Sequence, residues 1–255
     1  MTPFLRNTAL GVALYALLAP AARAEASVSE AGMSDEAFAY VAGTILSVFY
    51  HELGHALIDT MDLPLYGPEE DAADTLAAVL THEIWDEEGA RQNAEAFALS
   101  WLASAAETDL EVEHFAGLHS LDLQRHYRQV CLFYGAAADT RADFARDFEL
   151  PEDRAAGCAD EYASADHAWG AVLRGLREAE GEEMVWTGPA DSGIATLLKQ
   201  EVTDLNGLFS FPVAVAVRME VCDEANAFYL PDEKSIVICQ EFVDYLVAQA
   251  EEMEL

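Results

Sequence analysis

Residues 49–59, F-Y-H-E-L-G-H-A-L-I-D, decide how the rest of the chain is read. Apolar side chains recur at Phe38, Val41, Ile45, Phe49, Leu53 and Leu57, close to the 3.6-residue period of a helical face turned towards a core. On that helix His51 and His55 lie one turn apart and project together. The H-E-x-x-H spacing then offers two imidazoles to one tetrahedral zinc ion and leaves Glu52 beside it as proton acceptor for the attacking water. A bare H-E-x-x-H also arises by chance; the helical pattern around this one gives it weight.

Working outward, residues 62–68, D-L-P-L-Y-G-P, carry the Pro and Gly punctuation of a short turn. A second helical pattern follows over residues 69–80, and so short a connection returns it antiparallel to the first. Its acidic first turn then faces the histidines. A catalytic zinc site takes three protein ligands and keeps one position open, so a carboxylate is the missing piece. Glu70 is the choice, with Glu69 and Asp71 as alternatives. Asp74, one turn on, is placed to accept the other N–H of a ligand imidazole. The plainer account of this cluster is acidic charge complementing the helix dipole.

H-E-x-x-H followed by a helix bearing E-x-x-x-D (Glu70, Asp74) resembles the gluzincin zinc peptidases. That resemblance implies Glu70 as third ligand and Asp74 as the group that buttresses a histidine. More closely, the chain resembles a bacterial family described as putative metallopeptidases. The matching segments are HELGHALID, LPLYGPEEDAAD, HSLDLQRHY, CLFYG, LPEDRAAGCADEY and NAFYLPDEKSIVIC, which span most of the sequence after its start. The gap from His55 to Glu70 is shorter than in thermolysin-like peptidases.

The first 24 residues have the form of a signal peptide. Arg6 supplies the basic region, residues 9–21 the apolar region, and Ala22, Arg23 and Ala24 an A-x-A cleavage site. The expected location is therefore the periplasm or outside the cell, with no stable membrane insertion after cleavage. Without Arg6 and Arg23, 11 basic residues face 47 acidic ones, a net charge of −36. Such a surface repels nucleic acid and anionic membrane. Four cysteines in an exported chain predict two disulfides. Of three possible pairings, Cys131–Cys158 and Cys222–Cys239 join neighbours across moderate loops.

Further helices are expected over residues 88–106, 118–134, 150–178 and 194–208, with a loop over 180–193. Residues 213–221 alternate as a strand, and residues 226–229 and 235–238 flank a turn at 231–234 as a hairpin. A last helix runs over 241–252. The fold class is mainly α with α+β character: a zincin-like helical core and a small C-terminal antiparallel sheet. Residues 25–255 are expected to form one domain, helical over 34–208, with hairpin and final helix over 213–253.

His119, Asp122, Gln124 and Arg125 are candidates for lining a cleft, and His119 or Arg125 for stabilising an oxyanion. The other account is a buried polar network. His82, His114, His126 and His167 have no partner at ligand spacing. The strand at 226–229 either offers its edge to an extended substrate or simply roofs the zinc helices. The expected function is an exported peptidase with one zinc ion held by His51, His55 and Glu70, acting on peptide or protein substrates with Glu52 as general base. The rivals are a non-catalytic zinc-binding protein and a hydrolase of a non-peptide amide in the cell envelope.

Overall fold

The computed structural model describes residues 32–255; the expected signal peptide lies outside them. The protein is mainly helical, with a four-stranded mixed sheet. Its centre is α1 (Asp35–Met61), whose start is fixed by the Ser34 hydroxyl accepting the Ala37 N–H. Length and hydropathy alone would let α1 cross a membrane, but its apolar residues, including Val41, Ile45, Phe49, Leu53 and Leu57, are spent inside the core. Asp62 ends it in a left-handed conformation (φ 50°), and its N–H reaches back to the last turn.

After a short turn comes α2 (Glu69–Ile84). His51 meets Asp74 while His55 meets Glu69, so the two helices run antiparallel. Gly54 makes this approach possible. A Cβ there would lie 2.9 Å from Ala73 Cα, so a side chain would push α2, and its acidic first turn, away from the histidines.

The chain continues through α3 (Glu87–Glu107), α4 (Val112–Ala116), α5 (Asp122–Ala136), α6 (Ala142–Asp147), α7 (Glu152–Ala155), α8 (Cys158–Ala165) and α9 (Ala171–Glu178). β1 (Met184–Trp186), α10 (Gly193–Leu208), β2 (Val215–Glu220), β3 (Ala227–Leu230), β4 (Ser235–Cys239) and α11 (Gln240–Glu252) complete it. The main core lies between α1, α2, α10, α11 and the inner face of the sheet. A second cluster gathers Val130, Phe133, Phe144 and Leu150 around the Cys131–Cys158 disulfide. Cys222–Cys239 forms the other bridge, so both expected pairings are present.

Four expectations need correction. The sheet is mixed, not antiparallel: in the order β1-β2-β4-β3, β1 and β4 both run parallel to β2, and only β3–β4 is the expected hairpin. β1 falls inside the stretch expected to be loop, and α10 is the crossover that parallel pairing of β1 with β2 requires. The helix expected over 150–178 is broken into α7, α8 and α9, with a π-helical turn at Asp166–Gly170. Finally, α5 begins only at Asp122, which leaves His119 and Ser120 in the connection from α4.

Candidate metal centre

One face of α1 and the first turn of α2 meet at the floor of a cleft of about 700 Å³, bordered by β3 and by Leu118 and His119. The Nε2 atoms of His51 and His55 are 3.1 Å apart. Glu70 Oε2 lies 3.2 Å from the first and 3.4 Å from the second. Ligand atoms of these three residues all fall within 4.8 Å of one another. The acids of the turn divide by task. Glu70 faces the histidines' inner nitrogens, Glu69 takes His55 Nδ1 at 2.8 Å, and Asp71 turns away to Ser120 and Arg128.

The hydrogen bonds fix the tautomers. His51 Nδ1 is 2.8 Å from Asp74 Oδ1, and His55 Nδ1 is equally close to Glu69 Oε1. Ionised carboxylates only accept, so both Nδ1 atoms carry the proton. Each neutral imidazole then points an Nε2 lone pair inward, at the other and at Glu70. Glu70 Oε2 is buried, and the groups that approach it among the described residues are imidazole nitrogens. Three electron pairs crowded this closely repel unless a positive charge lies among them. Two imidazoles and a carboxylate form the donor set of an open catalytic metal site, so the residues fit a divalent cation.

The charges of the cluster shift its pKa values in opposite directions. Burial pulls the His51 pKa down, but the Asp74 and Glu70 carboxylates outweigh it and raise the value to about 9. His55 is raised by Glu70 and Glu69 against the same penalty of burial. Burial pushes Glu70 upward, yet the imidazoles of His119, His51 and His55 hold it well below the carboxylate range. Asp74 is wholly buried and nevertheless held low, by Arg125 and His51. Glu52 moves the other way. Burial raises its pKa, opposed by both histidines and by the Tyr229 main-chain N–H.

His119 approaches Glu70 Oε2 from the α4–α5 connection, its Nε2 at 2.9 Å and its side chain 56% exposed. Arg125 is committed elsewhere: its Nε and Nη2 each donate to an Asp74 oxygen at 2.7 Å, and its guanidinium lies 3.5 Å from the centre of the Trp101 ring. Two of its five N–H donors are thereby spent on Asp74. His126 bonds the Ala98 carbonyl, His82 lies beside Arg141 and Tyr162, and His114 accepts the Glu111 N–H. A second group, Cys222, Cys239 and Glu241, is no metal site, because its sulfurs are joined in a disulfide.

Sequence reasoning missed the pairing of Glu69 with His55, the Arg125 fork and Asn226. The Asn226 side-chain oxygen accepts the Ala227 N–H, and its amide nitrogen has no partner among the described residues. The strand at 226–229 is an expected candidate edge for substrate, but nothing local singles out the Asn226 side chain.

The protein is thus mainly helical and gathers at H-E-x-x-H three side chains, those of His51, His55 and Glu70, that could hold a metal ion. The chain belongs to the family described as "Putative metallopeptidase", whose model matches residues 12–173 and 193–254. That membership makes it a candidate hydrolase of peptide bonds. No curated protein and no solved structure matches it.

Proposed function

We propose that this protein is an exported zinc-dependent peptidase of gluzincin type, in which His51, His55 and Glu70 hold one zinc ion. The observation that carries this reading is the convergence of the His51 and His55 Nε2 atoms on one buried Glu70 oxygen, which His119 also approaches, beside H-E-x-x-H. Zinc at such a centre polarises a scissile carbonyl and makes water acidic near neutral pH.

The chain's own residues supply the rest. Glu52, buried and with a raised pKa, takes a proton from the attacking water and passes it to the leaving amine. His119 is placed to donate to the oxyanion that develops on the substrate. β3 is the outer strand of the sheet and borders the cleft, so an extended peptide can lie along it, with the Asn226 amide as a side-chain donor to its backbone. A peptide is the partner this arrangement suits; a net charge of −34 disfavours nucleic acid. Export rests on the leader-like first 24 residues and agrees with the two disulfides, which persist in oxidising compartments.

The test compares the mature protein with its Glu52→Gln variant on a mixed-peptide digest, with and without chelator, alongside metal analysis. The wild type is expected to bind one zinc and cleave peptides, and to lose cleavage on chelation. The variant should keep its zinc and lose at least about a hundredfold in kcat. Cleavage at the wild-type rate by Glu52→Gln would overturn its role, and a wild type that takes up no zinc would overturn the whole reading.

A further inference from the structure

Asp74 has two tasks at one carboxylate. Oδ1 accepts from His51 Nδ1 at 2.8 Å and from Arg125 Nη2 at 2.7 Å, while Oδ2 accepts from Arg125 Nε at 2.7 Å. Both oxygens of an acid with no exposed surface are thereby tied to the planar edge of one guanidinium. That guanidinium is itself fixed. Arg125 is 6% exposed, lies flat against the Trp101 ring, and belongs to the first turn of α5. On the same helix, Gln129 donates to the Asp74 main-chain carbonyl at 3.1 Å, tying α5 to the backbone that carries the carboxylate.

We infer that Arg125 is a positioning residue for the metal centre: its fork sets the plane of the Asp74 carboxylate, and Asp74 in turn sets the rotation of the His51 ring. With the Asp74 plane fixed, His51 Nε2 stays on the line that meets Glu70 and His55. Without the fork, the carboxylate turns about its own bond and His51 follows. A lysine cannot replace the arginine, because an ammonium is a point donor that neutralises Asp74 without fixing its plane. Partners that orient a ligand imidazole in this way typically contribute about ten- to a hundredfold in metal affinity.

This inference rests on reading the cleft as a zinc site, and the experiment keeps the two apart. Zinc affinity of the mature protein is measured by competition with a chromophoric chelator, and ligand geometry by the absorption of the Co2+-substituted protein. The variants are Arg125→Lys, Arg125→Gln, Asp74→Asn and the double variant. Wild type that binds no zinc overturns the zinc reading and this inference with it. If the wild type binds, Arg125→Lys should bind about ten- to a hundredfold more weakly, with an altered Co2+ spectrum. In the Asp74→Asn background, Arg125→Gln should cost nothing further, because its route to His51 is already cut. Wild-type affinity and spectrum in Arg125→Lys, or equal losses for Arg125→Gln in both backgrounds, would overturn it. Should the single Gln or Asn variant fail to fold, the affinity and spectrum of Arg125→Lys decide between the two outcomes.

Discussion

Consecutive residues of α1 are each gripped by a buried acid, and the two acids behave in opposite ways. His51 is held by Asp74, and Tyr50, on another face of the same turn, by Glu201 from α10. Asp74 has no exposed surface and Glu201 has 5%. Asp74 faces a guanidinium and an imidazole, which keep it ionised. Among the described residues Glu201 accepts only from the Tyr50 hydroxyl, a neutral group that is itself the acceptor for the Trp85 N–H. Burial therefore lifts the Glu201 pKa from an ordinary 4.5 to about 7, with Asp204 adding to the rise. Burial alone does not decide the charge of an acid; the partner does.

The largest effect is expected where a partner's charge would be stranded. Asp74→Asn leaves the Arg125 guanidinium, 6% exposed, without a counter-charge. Breaking a buried pair from one side costs about 3–5 kcal/mol, and urea unfolding of the metal-free protein should show a loss of that order. The same substitution frees the His51 ring, so zinc affinity should fall about ten- to a hundredfold. Unchanged stability and affinity would mean that the two acids do not differ as described.

Glu201 should respond next, and in the other sense. Its pKa is raised on folding, so between pH 4.5 and about 7 the folded state binds more protons than the unfolded one. Stability from this group is complete at low pH and falls as pH rises through that window. A shift of this size corresponds to on the order of 3 kcal/mol at pH 8. Glu201→Gln keeps an acceptor for Tyr50 and removes the titration. The variant should be more stable than wild type at pH 8 and close to it at pH 5, as read from melting temperatures at both values. A constant difference across pH would remove Glu201 from the comparison.

How much of this was legible in the sequence follows the range over which each pattern acts. His51, His55, Glu70 and Asp74 could be placed together because a helical period, a short Pro/Gly turn and an acidic helix start are all local. Gly54 stands between the histidines, but its part in letting α2 approach shows only in the structure. What stayed hidden depends on partners far along the chain. For Arg125 the sequence leaves a cleft-lining role and a buried polar network both open, because nothing near it shows that both oxygens of Asp74 are its acceptors. β1 is three residues long and has no alternation to detect, so its parallel pairing with β2 is not legible. Glu69 had a ready local explanation as acidic charge at a helix start, which concealed its pairing with His55.

That last pair makes the sharpest small test. His55 and His51 are alike in kind, each with Nδ1 on a carboxylate at 2.8 Å, but the Glu69 side chain is 49% exposed where Asp74 is sealed. Water can replace an exposed acceptor, and no second cation is left stranded when Glu69 goes. Glu69→Gln keeps an oxygen for His55 Nδ1 and removes only a solvent-screened charge, so stability should change by less than about 1 kcal/mol. Zinc affinity should fall by a smaller factor than in Asp74→Asn under the same chelator competition. Equal losses in the two variants would mean that the imidazoles depend on carboxylate charge as such, and that the buried fork behind Asp74 contributes nothing of its own.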